Sequence, residues 1–342
     1  MTFFRKAFLA VAAAAVFAAV SPLAAEAAVK WTWKTGTLAP KDIGYAKQVQ
    51  SVLMPAVEKV TNGEVVLKVY WGGVMGDDEQ HLKKMKVDQL QAAGLSGQGT
   101  FMMSKSLAIL GLPFLFNDYD EVDAIKHQMM ARFDGIVAKE GLRLLVWLDQ
   151  DFDQIYSSKL PVTKVSDFPK TRFITWFGPL EGKFFERMGT SPVPMGITEI
   201  PSSLRAGVAE SLIAPSIWVV GTQLYSTFRF VNTTRLRYVP AFCVCTSRAW
   251  DALPQQYQKG VFDGREKWAK DFCVKTRVDA EKSLNAMVAY GVRKVRSSPE
   301  EIKAIKEKSM PLWDELAGKL YPKDLLDELK GHLAQYRAGK KK

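Results

Sequence analysis

Three cysteines and three histidines are all that the 342 residues contain. So few cysteines exclude a disulfide-built scaffold. Cys243 and Cys245 share one face if their apolar run is a strand. A bridge from Cys273 to either, or three buried free thiols, both remain open. A Cys-x-Cys pair with so few histidines has no zinc-site spacing. Nucleotide hydrolysis is excluded by the absence of G-x-x-x-x-G-K-[ST], and neither G-x-S-x-G nor H-E-x-x-H occurs. His81, His127 and His332 each fall in a helical pattern, and no cofactor fingerprint is present. After residue 27 no apolar run is long enough to cross a bilayer. Low-complexity tracts and Gly/Ser linkers are missing too, so separate lobes would be joined by short ordered segments.

Basic charge is in excess, with 47 Lys and Arg against 36 Asp and Glu. No basic run carries interleaved aromatics, and the dense cluster is the terminal Lys340-Lys341-Lys342, so a nucleic-acid partner is not expected. At the other end Arg5 and Lys6 precede the apolar run Ala7 to Val20, and Ala25-Glu26-Ala27 supplies small residues for cleavage. Residues 1–27 therefore read as a secretory signal peptide. Its removal leaves 315 residues of net charge +10, enough for two lobes.

Strand and helix patterns then alternate. Trp31 to Thr37 and Val65 to Trp71 read as strands, with Ile43 to Val60 a helix between them; Leu90 to Leu95 is a third strand. Further strands are expected near Gln154–Ser157, Arg172–Trp176 and Glu210–Ile213. Such βαβ repetition predicts a parallel-rich α/β sheet in each of two lobes. The chain is expected to cross between them near Asp149 and Pro240. Pro254 suits a helix start and Gly291 a helix end. The helix between them would be about 55 Å long at 1.5 Å per residue, a spine shared by both lobes. This places residues 28–149 plus 240–283 in one lobe and 150–239 plus 284–342 in the other.

One stretch, Ser166 to Pro179, runs turn, short strand, Gly-Pro and helix start. That order builds a crevice at the carboxyl end of a strand, beside free helix N–H groups. Two carboxylate clusters also invite a chemical reading: Asp149, Asp151 and Asp153, and Glu199 with Glu210. Paired acids can hydrolyse glycosides, and Asp78 with His81 has a spacing that could hold a metal. Solvated edges or lobe-crossing loops are the commoner reasons for such clusters, and a helix first turn for Asp78, so neither catalysis nor a metal is expected.

Across nearly all of the predicted mature chain the sequence resembles the extracytoplasmic solute-binding proteins of TRAP transporters, of the dicarboxylate-binding type. The pieces include Thr37-Leu-Ala-Pro40, Thr61-Asn-Gly-Glu-Val65, Gly76-Asp77-Asp78, Leu112-Pro-Phe-Leu-Phe116, Tyr156-Ser-Ser-Lys-Leu-Pro161, Pro192-Val-Pro-Met195 and Leu253-Pro254. The resemblance implies a two-lobed α/β periplasmic binding-protein fold with a long shared helix. It implies a monomer, without cofactor or catalysis, that closes on a small organic solute and delivers it to the permease subunits of an ion-gradient-driven transporter. A ligand sensor that presents its closed form to a membrane signalling partner is the alternative.

The departures from the family pattern are specific. An arginine that forks a ligand carboxylate is usual where Ile174 stands, a second arginine is common where Asp153 stands, and Asp-Gly is replaced by Glu210-Ser211. A guanidinium fork suits a carboxylate, and isoleucine cannot replace it. Either Arg172, two residues earlier on the same strand face, restores the clamp, or the solute is not a simple dicarboxylate and Trp176, Phe177 and Trp218 wall its pocket. The second is expected. The candidate ligand-binding residues are Ser96, Gln98, Asp151, Asp153, Arg172, Ile174, Trp176, Glu199, Pro215 and Trp218.

Overall fold

The computed structural model describes residues 28–340; the predicted leader, residues 1–27, lies outside them. Eleven strands fall along the described chain: β1 Trp31–Thr37, β2 Val65–Tyr70, β3 Ala92–Leu95, β4 Leu142–Phe152, β5 Gln154–Ser157, β6 Ile174–Thr175, β7 Val193–Pro194, β8 Ser211–Ala214, β9 Phe230–Asn232, β10 Tyr238–Thr246 and β11 Arg293–Val295. One sheet has the order β2-β1-β3-β10-β4 and a second β11-β9-β5-β8, with β6 and β7 paired beside β8. β1 is parallel to β2 and β3, as the βαβ pattern predicts. β10 runs antiparallel between β3 and β4, so the parallel-rich expectation holds for only part of this sheet. The reason is topological: β10 re-enters the first sheet after the chain has built the second.

β4 is long because it does two jobs. It pairs with β10 in the first sheet, and after Asp153 the chain continues as β5 into the second. The crossing thus consists of two antiparallel segments, around residues 149–154 and 237–240. Alternating large apolar residues fix it, with Trp147, Phe152, Tyr238 and Phe242 fully buried.

The long helix Gln255–Tyr290 begins after Pro254 and ends at Gly291, whose φ of 121° only glycine adopts readily. Its 36 residues span roughly 54 Å. It packs on β4 and also on the helix Ser216–Gly221 of the second lobe. The C-terminal part divides. Helix Pro299–Ser309 packs on second-lobe elements, while helix Lys323–Gly339 lies against Tyr119–Lys139 of the first half, held by Arg337 on Glu121. The expected helix over 43–60 starts at Tyr45 and is π-helical over Val49–Leu53. Pro55 follows, and its missing N–H and its ring disrupt the i to i−4 ladder ahead of it.

An apolar cavity of about 70 Å³ lies in the first-lobe core, lined by Trp33, Leu53, Ala92, Gly94, Val146 and Trp268 among others. A Cβ on Gly94 would meet only Thr37 at 3.5 Å and Cys243 at 4.0 Å, ordinary contacts at an ordinary φ. Gly94→Ala is therefore expected to stabilise the protein by about 0.5–1 kcal/mol, through added buried area and a less free unfolded chain. A thermal melt measures it; a lower midpoint would show that the strand cannot hold the methyl group.

Candidate functional site

Between the lobes the carboxyl ends of six strands converge on one cleft. The loop after β1 supplies Leu38, Pro40, Gly44 and Tyr45, and the turn after β3 supplies Ser96. β4 contributes Gln150. From the second lobe come Trp176 after β6, Ile197 after β7, and Pro215, Ile217, Trp218 and Thr222 after β8. This is the position where α/β sheets hold ligands. Its free volume is about 70 Å³, well below the roughly 300–1,000 Å³ of ordinary ligand pockets. Two indoles fill the difference: Trp176 and Trp218 stack with ring centroids 5.0 Å apart at 24°. Trp176 is 4% exposed and its Nε1 donates to the Ile213 carbonyl at 3.0 Å. Trp218 is only partly buried and rides on the short helix Ser216–Gly221. Trp218 is the ring that can yield to a solute.

Helix Gly97–Met103 closes tightly against the other side. A Cβ on Gly97 would lie 2.4 Å from Val239 and 2.7 Å from Phe177, so glycine lets the two surfaces meet. The Gly97 N–H donates to Gln150 Oε1 at 2.8 Å, which fixes the amide orientation.

The crevice expected after β6 is not open to a ligand. Glu181, in the first turn of helix Pro179–Arg187, turns back into it. Its Oε2 accepts from Thr175 Oγ1 at 2.8 Å, the Trp176 N–H at 2.8 Å and the Phe177 N–H at 3.0 Å. Its Oε1 accepts from Arg237 Nη2 at 2.8 Å. The Arg237 Nε donates to Asp153, and the guanidinium lies 3.9 Å from the centroid of the Phe177 ring. Asp153, Glu181 and Arg237 are all buried. The protein has thus placed its own carboxylate and its own arginine in the crevice that the strand–loop–helix order predicted.

The three aspartates lie at the crossing between the lobes and are buried rather than on a solvated edge, because the crossing strands are covered by helices Tyr119–Lys139 and Gln255–Tyr290. Burial alone would raise the Asp149 carboxyl, but Lys126 and Arg277 beside it, with the Tyr238 hydroxyl at 2.6 Å, bring it down to about 2. Asp151 has no cation among its bonded neighbours. Burial raises it against bonds from Tyr119 Oη at 2.7 Å and Ser216 Oγ at 2.9 Å. Burial also pushes Asp153 up to about 7 in spite of Arg237, and the nearby charges of Glu181 and Asp151 add to the rise.

Of the residues expected at the site, Ser96, Trp176, Pro215 and Trp218 line the cleft. Asp151 and Asp153 lie in the buried layer behind it. Gln98 sits in the first turn of its helix, outside the lining. Ile174 is fully buried in the β6–β7 pair opposite Val193. Glu199 is exposed and accepts from the Gly196 N–H at 3.2 Å. Arg172 does not restore the clamp. It lies at the amino end of its strand, away from the cleft, where it donates to the Gly207 carbonyl at 2.7 Å and pairs with Glu210 at 3.3 Å. Tyr45, Gln150, Ile197 and Thr222 escaped the sequence reading because loops bring them together. Arg237 and Glu181 escaped as well, since nothing local distinguishes the buried Arg237 from the exposed Arg235 two residues earlier.

A larger depression, about 490 Å³ between helices Tyr119–Lys139 and Gln255–Tyr290, carries many charged side chains in its lining. Most of them are paired, among them Arg277 with Asp123, His127 with Glu266, and Lys126 with Asp149. All three cysteines are free thiols.

Comparison with known proteins places this geometry. Residues 37–319 match the family model described as bacterial extracellular solute-binding protein, family 7. The ectoine-binding periplasmic protein TeaA of Halomonas elongata is 22% identical over 304 residues, 84% of this chain and 87% of that protein. The C4-dicarboxylate-binding periplasmic protein DctP of Rhodobacter capsulatus is 22% identical over 306 residues, 88% of this chain and 90% of its own. The sugar acid binding protein DctPAm of Advenella mimigardefordensis, solved with galactonate, superposes with a TM-score of 0.83 at 18% identity, covering 90% of this chain and 99% of the other. A TRAP periplasmic solute binding protein from Desulfovibrio salexigens, solved with orotic acid, gives 0.82 at 16% identity over 90% and 99%.

Proposed function

The chain belongs to the bacterial extracellular solute-binding proteins of family 7, and from that premise we propose how it works. It is a solute receptor that takes up one small organic molecule in the interlobe cleft, between Tyr45, Ser96 and Gln150 on one side and Trp176 and Trp218 on the other. It acts in the periplasm, after removal of residues 1–27, and hands its solute as a monomer to TRAP-type permease subunits. Opening about the crossing strands and the long helix admits the solute, and binding favours the closed state. The carrying observation is the tryptophan pair lodged in a cleft that both lobes line.

The solute is not a simple dicarboxylate. Among the described residues no lysine or arginine lines the cleft, and the buried guanidinium of Arg237 behind Phe177 is held by Asp153 and Glu181. A charged hydrogen bond is worth about 1.5–3 kcal/mol, so a dicarboxylate would forgo several kcal/mol here. Mass spectrometry of solute released from the purified protein, followed by calorimetry, tests the reading. Trp218→Leu is expected to weaken the released solute about ten- to hundredfold, by loss of about 1.4–2.8 kcal/mol of ring contact. Arg172→Ala should leave affinity unchanged. Tight succinate or malate binding that Arg172→Ala abolishes and Trp176→Ala retains would overturn it.

A further inference from the structure

The polar atoms in the cleft wall have a common sense of direction. Tyr45 Oη donates its proton to the Gln150 carbonyl at 3.0 Å, Ser96 Oγ donates to Asp78, and Thr222 Oγ1 donates to the Trp218 carbonyl at 2.8 Å. Each hydroxyl has spent its hydrogen on the protein and turns lone pairs to the cleft. Gln150 Nε2 and Trp218 Nε1 are the wall's remaining side-chain donors, and both are uncharged.

Behind this wall negative charge is in excess. Asp78, 1% exposed, bonds Ser96 Oγ, and its nearest basic group is the imidazole of His81 at 3.9 Å. Asp151 is bonded by hydroxyls, an amide and backbone N–H groups, without a cation. Asp153 and Glu181 share the single cation Arg237; the proton that Asp153 keeps leaves Glu181 and Arg237 matched, so the excess behind the wall rests on Asp78 and Asp151. The field reaches the wall itself. After burial, the charge of Asp151 contributes most to raising the Tyr45 phenol well above its ordinary range.

A wall of acceptors, a negative field and two stacked indole faces form one recognisable combination. An anion placed here would meet uncompensated carboxylates in a low-dielectric layer. A cation would be attracted by them and by the indole faces, the surface that best holds ammonium groups. We propose that the solute of this cleft is an organic cation, an amine or quaternary ammonium on an apolar body, seated against Trp218 and Trp176 and facing Tyr45. This rests on the reading of the cleft as the solute site, and it adds the charge of the solute to that reading.

The test uses two sets of near-isosteric probes on protein freed of solute by unfolding and refolding: choline, 3,3-dimethylbutan-1-ol and 3,3-dimethylbutanoate; and benzylamine, benzyl alcohol and benzoate. In at least one set the cation should bind about tenfold or more tighter than the neutral member, about 1.4 kcal/mol, with the anion weakest. Trp218→Leu should erase that advantage, with circular dichroism confirming the fold. Equal affinity of neutral and cation, preference for the anion, or no binding of any probe up to millimolar concentration overturns the proposal. Small-angle scattering separates this from failure of the receptor reading. Closure of the lobes on an anion or sugar acid would sink the cation and keep the receptor. A radius of gyration that no solute in a complete growth-medium extract alters would sink the receptor itself.

Discussion

Replacing Arg237 by methionine should destabilise the protein by about 3–5 kcal/mol, the usual result of removing one partner from a buried ion pair. The size follows from what is left behind. Asp153 and Glu181 would remain buried with no cation between them, and the Phe177 face would lose the guanidinium above it. Methionine keeps much of the volume, so the loss would be electrostatic rather than a cavity. The triple change Arg237→Met, Asp153→Asn, Glu181→Gln should recover a substantial part of it, because the stranded charges go with the arginine. Urea denaturation of the single and triple variants measures both. A cost under about 1 kcal/mol, typical of an exposed pair, would mean that water reaches the triad and that the crossing is more open than described.

The second large effect is on pH dependence. Asp153 is raised to about 7 from 3.8, by burial first, so the folded protein holds a proton that the unfolded chain releases above about pH 4. The corresponding stability is fully present below pH 4 and is lost as pH rises through 7. At 1.36 kcal/mol per unit this amounts to about 2–4 kcal/mol between pH 4 and 8. Asp149 works in the opposite sense. Its carboxyl lies at about 2 because Lys126 and Arg277 overcome burial, so its contribution is present above pH 4 and is lost as pH falls toward 2. Wild type should therefore lose stability from pH 5 to pH 8, whereas Asp153→Asn should be nearly flat there. Geometry explains why Asp153 holds the proton: Glu181 accepts four hydrogen bonds, while Asp153 Oδ1 accepts none. Urea midpoints at pH 5 and 8 for both proteins decide the matter, and the same slope in both would refute the assignment.

Much of the architecture could be read without coordinates, because its causes are local. Strand periodicity located β1, β2 and β5. Pro254 and Gly291 bounded the long helix, since a ring that fixes φ and a residue free at positive φ act through their own backbone. The family resemblance was likewise legible, being a matter of motif order and spacing. What was misread depends on direction and depth. The alternation of Asp149, Asp151 and Asp153 says that they share a side, not that helices bury that side. Arg172 and Ile174 are neighbours on a strand, yet the cleft opens only at its carboxyl end.

The sequence by itself determined a two-lobed α/β solute receptor, because strand period, helix caps and motif order are properties of the chain alone. Only the tertiary structure decided what fills the crevice after β6. Glu181 and Arg237 are 56 residues apart, and their pairing depends on two crossing strands and a helix start converging in a buried layer. No local pattern encodes that convergence, and it is what turned the expected crevice into a buried ion triad beneath a tryptophan-lined cleft.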